Sequence, residues 1–204
     1  MIAIIDYEIG NLSAIANMFN RLGVQCEITA DPVEIKNADK IVLPGNGAFD
    51  ACMQSIRATG LIPLLDEKVM TQKTPLLGIC VGAQMLGAGS EEGNEPGLGW
   101  MDIKVKRFPT LPDLRVPHMG WCHVKNISRA HPQFEKLSED ARFYFVHSYY
   151  LDPTNTEEVL LTANYGIDFA AAVGKDNIVG VQFHPEKSHR FGKQLLAQFA
   201  GLSL

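Results

Sequence analysis

Three side chains in this sequence have the types and spacing needed for nucleophilic catalysis. Cys80 lies between two glycines in Leu76-Leu77-Gly78-Ile79-Cys80-Val81-Gly82-Ala83-Gln84, and His184 and Glu186 stand two apart in His184-Pro185-Glu186. An apolar run that ends on a cysteine held between glycines reads as a strand, a sharp turn and an immediate helix, which is a nucleophile elbow with cysteine in place of serine. The glycines fit because such a turn is strained and leaves no room for neighbouring Cβ atoms. A helix start would bring free N–H groups and a positive dipole end beside the sulfur, the surroundings a thiolate nucleophile needs. A cysteine closing an apolar strand is also compatible with plain burial as a small hydrophobe, so the reading depends on a base.

His184 and Glu186 can supply one. From extended backbone, residues i and i+2 point the same way, and Pro185 stiffens the link, so the carboxylate is expected to orient the imidazole. Cysteine, base and orienter together follow the logic of a catalytic triad. A His-Pro-Glu on its own fits a surface turn equally well. What favours chemistry here is that both segments end presumptive strands.

The surrounding pattern predicts the elements that would hold them. Residues 2–5 read as a buried strand, followed by a polar loop and a helix carrying Leu12, Ile15, Ala16, Phe19 and Leu22, with Gly23 at its end. Strands are expected at 24–29, 41–43 and 75–79, a turn or helix start at Asp31-Pro32, and helices at 49–58 and 61–70. The third strand runs into Pro44-Gly45-Asn46-Gly47, which reads either as a plain turn or as backbone able to aim its N–H groups unusually. After Gly87 strand signals dominate, at 101–108, 121–127, 143–150, 169–173 and 178–183, with a turn at 174–177. A helix bearing Phe191, Leu195, Leu196 and Phe199 then closes the chain. The expected fold is α/β: a three-layer sandwich with a mainly parallel central sheet flanked by helices, plus a smaller strand-rich excursion in the second half, all in one domain over residues 1–204. In such sheets the C-terminal edge is where ligands bind.

Bulk properties narrow the function. A length of 204 residues with 46% hydrophobic content suits one globular domain. The net charge of −5 and scattered basic residues give no nucleic-acid surface. No run reaches the ~20 apolar residues of a membrane span, and the N-terminus does not read as a signal peptide, so a cytoplasmic location is expected. Cys26, Cys52, Cys80 and Cys122 are far apart, without metal-ligand spacing, so no metal and no cofactor are expected.

With these segments assembled, the chain resembles the class I, triad-type glutamine amidotransferases. The two signatures are Gly78-Ile79-Cys80-Val81-Gly82-Ala83-Gln84 and Gln182-Phe183-His184-Pro185-Glu186. Further segments resemble the family's glutaminase subunits that serve a separate cyclase: Gly10-Asn11-Leu12, Leu43-Pro44-Gly45-Asn46-Gly47-Ala48-Phe49, Pro117-His118-Met119-Gly120-Trp121, Tyr144-Phe145-Val146-His147-Ser148-Tyr149 and His184-Pro185-Glu186-Lys187-Ser188. The resemblance covers essentially the whole chain. It implies that Cys80 attacks the glutamine side-chain amide, His184 carries the proton to ammonia, Glu186 holds the imidazole, and a thioester on Cys80 is hydrolysed to glutamate. It implies an oxyanion hole from the Val81 N–H and the Gly45, Asn46 and Gly47 segment, which can flip a peptide plane. Gln84, His147, Ser148 and Tyr149 would bind the α-amino and carboxylate ends of glutamine, although His147 could equally be packed among aromatics.

A partner is also implied, because ammonia released into water is protonated and lost as a nucleophile. The resemblance names a (β/α)8-barrel cyclase subunit of histidine biosynthesis as the acceptor, in a heterodimer. Asn11, Pro117, His118, Met119, Trp121 and Lys187 would lie at the interface, with Lys187 alternatively solvated and Trp121 alternatively core. A related acceptor in amidino-sugar synthesis stays open, as do a stand-alone cysteine hydrolase and a non-catalytic regulatory homologue. Three residues depart from the family pattern: Asn46 where valine is usual, Ala83 where methionine is usual, and Cys122 where asparagine is usual. Asparagine tolerates positive φ better than valine, so Asn46 is expected to ease the flip and raise partner-independent glutaminase activity.

Overall fold

The computed structural model of the chain describes residues 1–112, 114–127 and 131–201. Its first half alternates strands and helices: β1 (Ile2–Ile5), α1 (Leu12–Arg21), β2 (Cys26–Thr29), α2 (Pro32–Asn37), β3 (Lys40–Leu43), α3 (Phe49–Ala58), α4 (Ile62–Asp66), β4 (Leu76–Ile79) and α5 (Val81–Gln84). The second half is strand-rich: β5 (Gly89–Ser90), β6 (Ile103–Arg107), β7 (His118–Asn126), β8 (Arg142–His147), β9 (Tyr149–Pro153), β10 (Val159–Tyr165), β11 (Ile167–Lys175) and β12 (Ile178–Val181), closed by α6 (His189–Ala200).

Among the described residues the main path of the sheet runs β2-β1-β3-β4-β12-β11-β10-β7-β8. The first five of these strands are mutually parallel, and the rest add antiparallel. Burial explains the sequence pattern of the parallel part. Every residue of β1, β4 and β12 is buried, as expected where helices flank both faces and a strand reads as one continuous apolar run. Helix α2 starts where Asp31 accepts a hydrogen bond from the Val33 N–H at 2.7 Å with Pro32 in the first turn. The N-cap of α1 is Asn11, but its side chain makes no cap bond and turns elsewhere.

Several elements differ from the sequence expectation. The helix expected over 61–70 is α4 followed by a π-helical turn, Glu67–Thr71. The elbow helix spans only Val81–Gln84. The strand expected at 143–150 is two, because the chain changes partners at Ser148: β8 pairs with β7, whereas β9 pairs with β6 and β11. Strand β10 was not expected at all, and β7 starts at His118 rather than at 121.

Candidate active site

The parallel register brings the three chemical segments to one sheet edge. Ile79 of β4 lies beside Val181 of β12, and Leu43 of β3 lies beside Gly78. Gln182 therefore emerges at the level of Cys80, and Pro44 one residue behind them, at the level of Ile79. The Cys80 N–H donates to the Val181 carbonyl at 2.8 Å, tying the turn to β12. Cys80 itself has φ 54° and ψ −114°, a backbone state that costs on the order of 1–3 kcal/mol outside glycine and is held here by its surroundings.

The glycines around the elbow are explained by close contact, since none of Gly45, Gly78 and Gly82 has positive φ. A Cβ on Gly82 would fall 2.1 Å from the Leu43 carbonyl oxygen, and one on Gly45 would fall 2.2 Å from the Gly82 nitrogen. The elbow and the Pro44-Gly45-Asn46-Gly47 loop thus pack backbone against backbone. From below, the buried Tyr7 hydroxyl donates to the Pro44 carbonyl, and the Cys52 thiol donates to the Asn46 carbonyl at 3.3 Å. Burial pushes the Cys52 thiol up, which keeps it a donor.

Only 2% of the His184 side chain and 1% of the Glu186 side chain is exposed, and Nδ1 of His184 meets Oε1 of Glu186 at 2.8 Å. The pair does not form as extended backbone would have it. Glu186 lies in a 3-10 turn, Pro185–Lys187, that curls its carboxylate back onto the imidazole. Ser188 fixes this turn, its hydroxyl donating to the His184 carbonyl at 2.6 Å and accepting from the Tyr144 N–H at 3.0 Å. The Glu186 carboxylate accepts on Nδ1–H, so Nε2 is left as the reactive nitrogen, and it has no hydrogen-bond partner among the described residues. Burial disfavours the imidazolium, but the Cys80 sulfur and the Glu186 carboxylate outweigh it and raise the His184 pKa to about 10.

A cavity of about 230 Å³ opens over Cys80 and is lined by Asn46, Gly47, Val81, Gln84, Glu92, Pro117, Val146, His147, Ser148 and Tyr149. The sequence candidates Asn46, Gly47, Cys80, Val81, Gln84, His147, Ser148 and Tyr149 therefore meet in one place. Gly45 is buried under the elbow. The Val81 N–H has no acceptor among the described residues, whereas the Gly47 N–H donates to the Asn46 side-chain oxygen at 2.9 Å. Asn46 does not have positive φ; Gly47 does, at 84°. Glu92 is a lining residue that sequence reasoning missed, because it sits in the polar stretch 90–99, which reads only as a loop. Its Oε2 accepts from the Phe49 N–H at 2.9 Å, which anchors it beside the cavity.

Across the cavity floor runs a set of buried hydrogen bonds. The Gln84 amide donates to the Tyr149 carbonyl at 3.1 Å and to Oε1 of Gln182 at 3.2 Å, and His147 Nδ1 donates to the same Tyr149 carbonyl at 2.8 Å. His147 and His118 are cross-strand partners, 3.1 Å apart between Nε2 and Nδ1. Burial lowers both imidazoles, His118 to about 4 and His147 to about 3, so both are neutral near pH 7.

This overturns one interface expectation. His118 is 3% exposed and stacked on Tyr165, because strand alternation turns it inward while Met119 and Trp121 face out at 63% and 44% exposed. Trp121 stacks on His189, and Arg142 lies over its ring. Lys187 is exposed and, with Arg21, Glu186, His189 and Lys193, lines a second cavity of about 380 Å³. Asn11, exposed, places its amide 3.5 Å from Glu186 Oε1. Among the described residues no cluster could hold a metal, and no helix is long and apolar enough to cross a membrane.

Comparison with known proteins gives the family and the fold. A model of the family described as glutamine amidotransferase class-I matches residues 3–201. The chain is 49% identical over 202 residues, 99% of its length and 100% of the relative's, to the imidazole glycerol phosphate synthase subunit HisH 2 of Pseudomonas aeruginosa. It is 45% identical, over 98% of its length and 99% of the relative's, to the subunit HisH of Bdellovibrio bacteriovorus. The same fold occurs in PurLQS from Thermotoga maritima, at a TM-score of 0.73 and 15% identity, covering 98% of this chain and 97% of that one.

Proposed function

Because this chain belongs to the class-I glutamine amidotransferase family, we propose that it is the glutaminase subunit of imidazole glycerol phosphate synthase. It releases ammonia from glutamine and passes it to a separate (β/α)8-barrel cyclase subunit in histidine biosynthesis. The observation that carries this reading is the buried Cys80, His184 and Glu186 constellation at one sheet edge, with a cavity over the sulfur. As a biosynthetic subunit it works in the cytoplasm. The match over residues 3–201 supports a single amidotransferase domain.

The chemistry follows from the atoms in place. The Cys80 sulfur adds to the carboxamide carbon of glutamine, forming a C–S bond while the oxygen takes the negative charge. The Val81 N–H, without another acceptor among the described residues, is one donor to that oxyanion. The other comes from the Pro44-Gly45-Asn46-Gly47 segment once its peptide rotates or the Asn46 side chain releases the Gly47 N–H. His184 delivers its Nε2 proton to the amine as the C–N bond breaks. It then takes a proton from the water that hydrolyses the thioester to glutamate. Glu186 keeps Nδ1 protonated throughout and stabilises the imidazolium.

Binding of the amino-acid end rests on the cavity wall. Glu92 is the one carboxylate among its lining residues and suits the substrate ammonium, while backbone donors of the His147-Ser148-Tyr149 segment suit the carboxylate. Exposed Met119 and Trp121, continuing through His189 to Lys187, form a mixed apolar and basic surface that reaches the outer side of Glu186. A cyclase docked there would cover the triad and Asn11 together.

The test is glutamate release from glutamine, with and without a barrel cyclase partner and its ligand, for wild type and Cys80→Ser. A large partner-dependent rate that Cys80→Ser abolishes is expected. A rate indifferent to both partner and Cys80 would refute the proposal.

A further inference from the structure

The proposed triad leaves one buried polar side chain against the sulfur unassigned. Gln182 is fully buried, and its Nε2 lies 3.9 Å from Cys80 Sγ, long for a hydrogen bond but within reach of a large sulfur acceptor. Its position is dictated by the sheet, since Val181 and Ile79 are register partners and the residues that follow them face each other across β12 and β4.

The direction of its amide is fixed from outside. The Tyr149 carbonyl can only accept, so Gln84 must turn its NH₂ toward it. The second hydrogen of that NH₂ then donates to Gln182, which must present Oε1 to Gln84. With its oxygen committed there, Gln182 has only its own NH₂ to offer the sulfur. His147, donating to the same Tyr149 carbonyl from the other side, removes the freedom of that carbonyl to swing away.

We propose that Gln182 is a catalytic residue whose side-chain N–H donates to the Cys80 thiolate, and that Gln84 is the positioning residue that sets its direction. An N–H donor gains strength when its acceptor becomes charged, so this contact favours the thiolate over the thiol. It also supplies the sulfur with a donor on the β12 side, opposite in chemical role to His184, which must exchange its proton while Gln182 never does. The proposal rests on reading Cys80 as the nucleophile, but its test does not need turnover.

The experiment is the pH profile of Cys80 alkylation by iodoacetamide in the intact chain, with Cys80→Ser giving the background from Cys26, Cys52 and Cys122. Gln182→Met keeps nearly the same shape and removes the donor. The rising limb of its alkylation profile should move to higher pH by about one unit, as expected on losing one hydrogen bond to an ionised group, while the plateau reached in alkali stays at the wild-type level. Gln182→Glu keeps shape and polarity but puts a carboxylate beside the sulfur, and should move the rising limb further in the same direction; it decides the matter if Gln182→Met does not fold. Profiles that superimpose on wild type, or a loss confined to the alkaline plateau, would overturn the assignment. Failure of the glutaminase reading itself shows separately, as wild-type protein that alkylates at Cys80 but releases no glutamate with its partner present.

Discussion

Stability should peak near pH 6.5 and fall on both sides for different residues. On the acid side, His118 and His147 are neutral in the fold down to about pH 4 and about pH 3, whereas in the unfolded chain each binds a proton below about 6.5. Between those values the unfolded state holds more protons, so stability is lost as pH falls from 6.5. At pH 5 the gap is 6.5 − 5 = 1.5 units per residue, or about 2 kcal/mol each and about 4 for the pair. His131, also lowered by burial, acts in the same sense. On the alkaline side His184 has the opposite sign: raised to about 10, its contribution is whole below 6.5 and is lost between there and about 10. At pH 8 that loss is also about 2 kcal/mol. Urea unfolding followed by tryptophan fluorescence from pH 4.5 to 8 measures both arms. His118→Asn keeps a donor toward His147 but cannot titrate, so it should remove about half of the loss between pH 6.5 and 5. A wild-type curve flat from pH 7 to 5, or an acid slope unchanged in His118→Asn, would refute the reasoning.

Two further outcomes test the cavity wall. Removing the carboxamide that accepts the Gly47 N–H in Asn46→Ala should raise partner-free glutamate release severalfold, since a competing acceptor for a candidate oxyanion donor disappears; an unchanged or slower rate leaves that bond without consequence. This reverses the expectation from sequence, in which asparagine eased the flip. Glu92→Gln should raise the glutamine KM at least tenfold with a smaller change in kcat, as loss of a charge-assisted contact to the ammonium requires; an unaltered KM places the ammonium elsewhere.

The strand-turn-helix around Cys80 was legible because its cause is local: an apolar run, then glycines where two backbones touch. What escaped depends on pairing across the sheet. The aromatic run from Phe143 to Tyr150 has no local break, and Ser148 ends β8 only because the chain there changes neighbours. Strand β10 mixes Leu160 and Leu161 with Thr162 and Asn164, and only its place between β11 and β7 makes it a strand. His118 and His147 are 29 residues apart and meet by register alone. The same holds for Gln182 and Cys80. His184 and Glu186 were paired from sequence by the wrong geometry, since a proline-started 3-10 turn brings them together in place of strand alternation. Glu92 carried no signal beyond its charge, for nothing in the stretch 90–99 announces that it folds back onto the N-terminus of α3.

The contact of Gly45 with Gly82 has a thermodynamic side as well. Where two main chains touch with no side chain between them, there are no rotamers to freeze, so ordering this part of the site on substrate binding costs little conformational entropy. The freedom that remains belongs to peptide units, and a peptide unit rotates as a whole or not at all. The Pro44-Gly45-Asn46-Gly47 loop is therefore suited to discrete settings, and in the proposed reaction binding energy from a docked partner need only tip a small number of such units.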